Sequence, residues 1–407
     1  MEWIDGGVTA AKGFLAGHTA AGIKYENRDD MAIIFSETAC DLAGTFTQNV
    51  VQAAPVLWDK AMAQARRKVQ AVVVNAGIAN ACTGEEGFSY CRQTAEAVAE
   101  AYGIKAGSVC VASTGVIGMQ LPIDRIRAGV AQMKATLSES RKAAHSAAKA
   151  IMTTDTVPKE AAVTIKLGDT VVTIGGMTKG SGMIHPNMCT MLCFLTTDAV
   201  IAPELLQEAL SQTVKDTYNM ISVDGDTSTN DTCLLLANGN AGNAPITKED
   251  GSFALFTQAL YEVNRKLARM MAKDGEGATA LLEVIVEQAW SEEDARCLAK
   301  SVTASSLVKA MIYGHDANSG RVLCALGYAG VEFDPRKVDV IAKSRAGETA
   351  LMRNGQYADY SEEKATKILS EDEVTIVCIM HEGEASATAW GCDLTYDYVK
   401  INADYRS

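Results

Sequence analysis

The residue best suited to chemistry in this sequence is Thr190, which follows the glycine- and proline-containing stretch KGSGMIHPNMC at 179–189. If its hydroxyl attacked the carbonyl of Cys189, the amide would become an ester, and hydrolysis would release a chain that begins at Thr190. A free α-amino group has a pKa of about 7.7 to 8.0, so near neutral pH it could accept the proton of the threonine hydroxyl. Spacing alone favours the simpler alternative, in which Thr190 only begins a strand after a loop.

A second stretch, rich in aspartate, resembles a calcium-binding loop but lacks two of the residues that such a loop needs. SVDGDTSTNDTC at 222–233 has oxygen-bearing side chains at positions 224, 226, 228 and 230. The sixth position, where that loop needs glycine, is Thr229, and the twelfth, where it needs glutamate, is Leu235. We therefore expect no calcium site in this stretch.

The remaining motifs are weaker still. The glycines of GGMTKGSG match neither common phosphate-binding pattern, and a G-x-S-x-G elbow that would support Ser181 as a nucleophile does not occur. The five histidines, at 18, 145, 185, 315 and 381, lack metal-ligand spacing. We expect each histidine to be hydrogen-bonded or solvated, and we expect no metal or organic cofactor.

Composition narrows the class of protein. With 407 residues, 48% of them hydrophobic and 21% charged, the chain is typical of a globular protein with one large core or two ordinary ones. A net charge of -13 argues against nucleic acid or an anionic membrane as partner. The eleven cysteines form no C-x-x-C pair and are predicted to be reduced core residues of a cytoplasmic protein. Neither a signal peptide nor a run of about 18 apolar residues is found.

Strand-like and helix-like segments alternate along the chain. The β-branched runs at 31–40, 71–77 and 108–115 predict buried strands, and 161–179 predicts a hairpin that turns at Gly168 and Asp169. Helical spacing is present at 85–103, 203–220 and 252–273, and a further strand is predicted at 374–383. The pattern indicates an α/β protein with antiparallel pairing as well as crossovers.

Motifs along the whole chain resemble the ornithine acetyltransferase family, the bifunctional glutamate N-acetyltransferases of arginine biosynthesis. Those motifs are KGSGMIHPNMCTMLCF around Thr190, GGVTAAKGFLAGHTAAGIK, QNVVQAAPV, NAGIANACTG, STGVIG, MTTDT, SVDGDTSTNDT, DGEGAT and ATAWGCDLTYDYVKINADYR. The family usually has alanine before the nucleophilic threonine, where this chain has Cys189.

The resemblance implies a role for particular residues. Thr190 would be the nucleophile, and cleavage between Cys189 and Thr190 would leave an α chain of residues 1–189 and a β chain of residues 190–407. Thr114 and Gly115 would form the oxyanion site, since a hydroxyl and a backbone N–H directed at one point are what a tetrahedral oxyanion requires. The substrate contacts it implies, besides Thr190, are Thr153, Lys179, Glu276, Asn402 and Ser407.

The resemblance also implies a reaction and an architecture. The acetyl group of N-acetylornithine would pass to Thr190 and then to glutamate, with the lysine and the glutamate at 276 orienting the charged ends of the substrate. The implied fold is a stacked-sheet α/β sandwich of the N-terminal-nucleophile-like type with a smaller C-terminal domain, assembled as an α2β2 heterotetramer. Whether acetyl-CoA serves as a second donor stays open.

Two other classes of protein remain at this point. An amidase or aminopeptidase with the same N-terminal nucleophile would share Thr190 and the oxyanion pair but pass the acyl group to water; Lys179, Glu276 and the INADYR tail argue against it. A carrier or regulatory binding protein would have no use for a cleavable bond and would run as one band on a denaturing gel.

Overall fold

The computed structural model describes residues 1–185 and 191–403. Buried β-branched and aromatic runs form most of the strands, as their composition predicts. The strands of these residues are β1 (Glu2–Ile4), β2 (Phe14–Thr19), β3 (Met31–Phe46), β4 (Val69–Ile78), β5 (Val109–Val116), β6 (Lys159–Leu167), β7 (Thr170–Lys179), β8 (Leu192–Thr197), β9 (Ile221–Ser222), β10 (Thr232–Ala237), β11 (Leu281–Ala289), β12 (Asp339–Ser344), β13 (Gly347–Arg353), β14 (Gln356–Tyr357), β15 (Glu373–Ile379) and β16 (Ala385–Cys392).

The helices alternate with these strands along the chain. Several begin at a serine whose side chain accepts a hydrogen bond from the first turn, as Ser140, Ser291 and Ser361 do. The helices of the described part are α1 (Ala54–Gln64), α2 (Gly84–Tyr102), α3 (Ile123–Met133), α4 (Arg141–Ala150), α5 (Pro203–Lys215), α6 (Gly251–Lys273), α7 (Glu292–Ala304), α8 (Ser306–Tyr313), α9 (Ser319–Gly327), α10 (Glu362–Leu369) and α11 (Tyr396–Ala403).

The chain divides into two compact units, of which the first comprises Met1–Gly180, residues 191–218 and Thr227–Leu267. Its strands follow the order β1-β6-β7-β8-β10-β3-β4-β5, with β2 also paired to β3. Strands β8 and β10 are parallel, as are β4 and β5. Strand β3 is shared: its first part pairs with β2 and β4, its last part pairs with β10, and the register shifts between Phe35 and Cys40. The shift divides the sheet into two halves.

Alternating side chains explain why the two halves stack. Val72, Val74 and Cys110 point into a core that also contains Phe194 and Leu234 from the other half and the alanines of α4. Their neighbours in sequence, such as Val73 and Val111, face a second core with α2 and α3. Burial on both faces accounts for the nearly continuous apolar runs in β4 and β5. The predicted stacked-sheet α/β fold is confirmed.

The second unit comprises residues 181–185, Asn219–Asp226 and 268–403. Its strand order is β14-β13-β12-β15-β11-β16-β9, and α7 packs on β11 and β16. The predicted smaller C-terminal domain is therefore confirmed, but it also takes in two short segments from earlier in the chain. The reason for one of them is that β9 pairs with β16 in parallel, Ile221 opposite Trp390.

Most predicted helices and strands are present, but one helix end and the burial of some cysteines differ from the prediction. The helix expected at 203–220 ends at Lys215, and Tyr218–Met220 forms a 3₁₀ turn, in which the buried Tyr218 hydroxyl contacts Asn264 at 3.2 Å. The prediction that the cysteines are core residues is wrong for three of the described ones, since Cys82, Cys297 and Cys324 are exposed; all the described cysteines are free thiols.

Candidate active site

Three of the predicted site residues, Cys189, Thr190 and Ser407, lie outside the described residues. The strands that precede and follow the first two, β7 and β8, pair with each other in the first sheet. Lys179, the last residue of β7, pairs with Leu192, the first residue of β8. Met191, which follows Thr190 in the sequence, accepts a hydrogen bond at its carbonyl from Thr232 N at 2.9 Å. The ends of β7, β8 and β10 therefore meet at one edge of the sheet.

The oxyanion candidates lie at the end of β5. Gly115 has a φ of +131°, and a Cβ atom there would lie 2.2 Å from the carbonyl carbon of Gly77 on β4. Any other residue would clash with the backbone of the neighbouring strand. Pairing between β4 and β5 becomes irregular at this point, around Gly77 and Ile78. Gly115, the first glycine of STGVIG, is thus required because the backbones of β4 and β5 approach each other closely there.

The structure brings Thr114, Thr153 and Lys179 together. Lys179 Nζ donates a hydrogen bond to Thr153 Oγ1 at 2.8 Å and lies 3.5 Å from Thr114 Oγ1. The lysine side chain is only 9% exposed. A cation is therefore held beside a threonine hydroxyl that the resemblance assigns to the oxyanion site.

A buried carboxylate, which sequence reasoning missed, holds this lysine. Asp155 lies 3.7 Å from Lys179 Nζ, accepts a hydrogen bond from Lys159 Nζ at 2.7 Å and another from Gly180 N at 2.7 Å. Burial by itself would raise the pKa of Asp155, but Lys179 and Lys159 outweigh it and hold the pKa well below its ordinary value. Thr114, Thr153, Asp155, Lys159 and Lys179 are called the lysine cluster below. The signal in the sequence was the aspartate of MTTDT with a lysine four residues later.

Glu276 and Asn402, the other predicted contacts, meet in the second unit. Asn402 Nδ2 donates to Glu276 Oε2 at 2.7 Å, and Glu276 N donates to the carbonyl of Ser181 at 2.8 Å. A Cβ atom at Gly182 would lie within 2.3 to 2.4 Å of the Glu276 carboxyl atoms, so a larger residue there would displace the Glu276 side chain. Ser181, Gly182, Glu276 and Asn402 are called the glutamate cluster.

The stretch that resembled a calcium loop has a different use. The Asp224 carboxylate accepts hydrogen bonds from the backbone N–H groups of Met183 and Ile184 at 2.6 and 2.8 Å, and from the Tyr398 hydroxyl at 3.2 Å. Asp224 thereby fixes part of the segment that leads toward Cys189. Within residues 1–185 and 191–403, no group of three or more potential ligands is placed to hold a metal ion.

Four histidines have the contacts expected of structural residues. His18 contacts Asp29, His145 contacts Glu160, and His381 contacts Asp339. His185 lies 3.0 Å from Ser222 Oγ, and burial together with Lys300 lowers the pKa of this imidazole to about 4. His185 is therefore neutral near pH 7.

The geometry defines a mixed α/β protein with a lysine fixed beside two threonine hydroxyls, and comparison with known proteins identifies its family. The ArgJ family model matches residues 15–407, so the chain belongs to the ArgJ family. The predicted resemblance is confirmed. The described helices include none that is long and apolar enough to cross a membrane.

Relatives match over the whole length. The arginine biosynthesis bifunctional protein ArgJ of Symbiobacterium thermophilum is 50% identical, and that of Caldanaerobacter subterraneus subsp. tengcongensis is 48% identical, each covering 100% of both chains. A crystal structure of the ArgJ protein of Bacillus halodurans is 44% identical and covers 52% of this chain and 97% of that one, with a TM-score of 0.49.

Proposed function

We propose that this chain transfers the acetyl group of N2-acetyl-L-ornithine to L-glutamate, giving ornithine and N-acetylglutamate. The observation that carries the proposal is the position of Lys179 Nζ, 2.8 Å from Thr153 Oγ1 and 3.5 Å from Thr114 Oγ1. A fixed ammonium suits the α-carboxylate of an acetylated amino acid, and a neighbouring hydroxyl suits the oxyanion. Membership in a family whose relatives are named for arginine biosynthesis supports the same reaction.

The proposed chemistry is a double displacement on Thr190. Its Oγ attacks the acetyl carbonyl carbon while its own α-amino group takes the hydroxyl proton. The C–N bond then breaks, the proton passes to the leaving amine, and ornithine departs from an acetyl ester on Thr190. The amine of glutamate attacks the ester carbonyl carbon and gives a proton to the α-amino group; the C–O bond to Thr190 breaks, that proton restores the hydroxyl, and N-acetylglutamate leaves. Thr114 Oγ and the Gly115 N–H stabilise the oxyanion in both halves.

The glutamate cluster supplies the second recognition element of the proposal. N-acetylornithine carries an ammonium at the end opposite its carboxylate, and the Glu276 carboxylate would pair with it. Asn402 Nδ2 occupies one carboxylate oxygen of Glu276 at 2.7 Å, which orients the other. Ser407 would add a hydroxyl contact. The reaction balances without a metal or an organic cofactor.

Processing and assembly complete the proposal. We expect self-cleavage between Cys189 and Thr190, an α2β2 assembly of the two chains, and a cytoplasmic location. Because only a hydroxyl or a thiol at position 190 can perform the N-to-O shift, Thr190→Ala should stay one chain, and Thr190→Ser should still be cleaved. A denaturing gel of both variants separates these outcomes, and two fragments from the alanine variant would show that an outside protease cuts the chain.

Kinetics test the acetyl carrier. Transfer through Thr190 predicts parallel double-reciprocal lines and exchange of labelled ornithine into N-acetylornithine without glutamate. Intersecting lines without exchange would instead indicate direct transfer in a ternary complex. Release of acetate without transfer to glutamate would favour the N-terminal-nucleophile amidase. A parallel assay with acetyl-CoA and glutamate decides whether the enzyme accepts both donors.

A further inference from the structure

The loop that leads into β10 contacts the backbone next to the oxyanion candidates. Asn230, which is 7% exposed, donates from Nδ2 to two carbonyl oxygens, that of Ser113 at 2.8 Å and that of Ala79 at 2.5 Å. Ser113 immediately precedes Thr114 on β5, and Ala79 follows the end of β4. One amide group therefore ties together the two strand ends at which the pairing of β4 and β5 becomes irregular.

The orientation of this amide is set by its neighbours. Thr229 Oγ1 donates to Asn230 Oδ1 at 2.6 Å, so the oxygen is occupied and the NH₂ group faces the two carbonyls. Asn230 N donates to Ser228 Oγ at 3.1 Å. The loop is also held by its backbone, because the Thr229 carbonyl accepts from Ala53 N at 3.0 Å and the Asp231 carbonyl from Thr47 N at 3.0 Å.

Fixing the Ser113 carbonyl bears directly on the oxyanion donors. That carbonyl belongs to the peptide plane that leads into Thr114, so its position sets the start of the Thr114–Gly115 pair. The Ser113 side chain is fixed as well, since its Oγ donates to Asn75 Oδ1 at 2.6 Å and Asn75 Nδ2 donates to the Ile78 carbonyl at 2.9 Å. The pairing of β5 with β4 is regular up to Gly115 opposite Gly77 and shifts at Ile78, so the ladder becomes irregular directly beyond the oxyanion candidates.

We propose that Asn230 is a positioning residue for the oxyanion site: its amide bridges the Ser113 and Ala79 carbonyls and thereby sets the direction of Thr114 Oγ and the Gly115 N–H. Oxyanion donors act only when they point at the developing charge, and a displacement of about 1 Å can cost about 10²-fold in rate. This inference rests on the proposed acetyl transfer, and it also applies to self-cleavage, which passes through a similar tetrahedral carbon.

Asn230→Asp is the informative variant, because it keeps the shape and replaces the donor with an oxygen that repels both carbonyls. The matched control is Asn243→Asp. Asn243 is 3% exposed, lies in the same unit and donates from Nδ2 to the carbonyls of Val200 and Ala244 at 3.2 and 2.8 Å. Its contacts do not involve the strands that carry the oxyanion candidates.

The two variants should separate a positioning role from a purely structural one. Both variants should have a lower unfolding free energy than the wild type. Only Asn230→Asp should lower kcat, by about 10²-fold when kcat is calculated from the concentration of cleaved protein. KM for N-acetylornithine should change little. Asn230→Asp should also slow self-cleavage on the gel. If Asn230→Asp does not fold, Asn230→Ser is compared with Asn243→Ser in the same way. Equal kcat for the Asn230 variant and its Asn243 control would overturn the proposal.

A double-mutant cycle adds a second criterion. If Asn230 acts through the oxyanion pair, Thr114→Ala combined with Asn230→Asp should lose less activity than the product of the two single losses, whereas independent effects would multiply and overturn the proposal. Self-cleavage needs no substrate, so its rate tests Asn230 even when the wild-type chain fails to transfer acetyl to glutamate. That failure would count against the proposed substrates alone.

Discussion

In the lysine cluster the two cations are strand residues, whereas in the glutamate cluster the carboxylate sits on a loop and is contacted from a terminal helix. Lys159 begins β6 and Lys179 ends β7, and the two strands pair with each other. Glu276 follows α6, and its partner Asn402 lies on α11, a helix without a buried residue. The position of Lys179 is therefore fixed by ladder hydrogen bonds and a buried counter-ion, while Glu276 is contacted by the Ser181 backbone and by Asn402.

The comparison shows two ways of holding a charge in place. A buried ammonium beside a buried carboxylate needs a rigid frame, because removing either partner leaves an uncompensated charge. Glu276 is equally buried at 8% exposed, but its carboxylate is contacted by Asn402 on an exposed helix, and such contacts open more easily than those within a sheet. We therefore expect substitutions in the lysine cluster to affect folding as well as activity, and substitutions in the glutamate cluster to affect mainly substrate recognition.

The largest effect is expected for Asp155→Asn. The variant leaves Lys159 and Lys179 without their buried carboxylate, and breaking such a group costs about 3 to 5 kcal/mol of unfolding free energy. Because the folded-state pKa of Asp155 lies below its ordinary value of 3.8, its contribution is present above that pH and is lost as the pH falls below it. Urea unfolding at pH 7 and at progressively lower pH measures the difference between variant and wild type.

The difference in unfolding free energy between Asp155→Asn and the wild type should shrink as the pH falls. Asp169→Asn serves as the control, since Asp169 is exposed in the turn between β6 and β7. A loss for Asp155→Asn no greater than that of this control would show that the lysine cluster does not depend on its carboxylate.

Gly182→Ala should have an intermediate effect confined to the glutamate cluster. The added methyl group would meet the Glu276 carboxyl atoms at 2.3 to 2.4 Å, and because these atoms end a flexible side chain, we expect Glu276 to move. We expect KM for N-acetylornithine to rise about tenfold as Glu276 is displaced. Gly327→Ala, in the same unit and with nothing within 4 Å of the added atom, should leave KM unchanged. Unchanged steady-state kinetics for Gly182→Ala would separate Glu276 from substrate binding.

The smallest effect is expected for Asn402→Ala. It removes one hydrogen bond to Glu276 from an exposed side chain, which is worth about 0.5 to 1.5 kcal/mol. KM for N-acetylornithine should rise several-fold, with the unfolding midpoint lowered far less than in Asp155→Asn. Lys400→Ala, exposed on the same helix, is the control. If Asn402→Ala instead destabilised the protein as much as Asp155→Asn, the contrast between the two clusters would be wrong.

Local patterns allowed much of the fold to be predicted. The hairpin at Gly168 and Asp169, the long helix at 252–273 and the buried strands depend on turn residues and hydrophobic period, which act over a few neighbours. The predicted helix at 203–220 was too long because its end depends on tertiary packing: Tyr218 is buried and contacts Asn264, 46 residues away. The exposed cysteines were missed for a similar reason: Cys297 and Cys324 lie on helices and Cys82 lies in the loop before α2, and local sequence does not reveal which of these positions is covered.

The sequence by itself determined the family, the α/β class and the chemical types at the candidate site, because its residues stand in recognisable motifs: Thr114, Gly115, Thr153, Lys179, Glu276 and Asn402. Only the tertiary structure decided which of them share a charge network. Asp155 was passed over as one letter of MTTDT, and Asn230 as one position of an incomplete calcium loop. Their roles come from contacts with residues 25 and 117 positions away in the chain, Gly180 and Ser113. No local spacing encodes such contacts, because they exist only once the strands of the first sheet are paired and stacked.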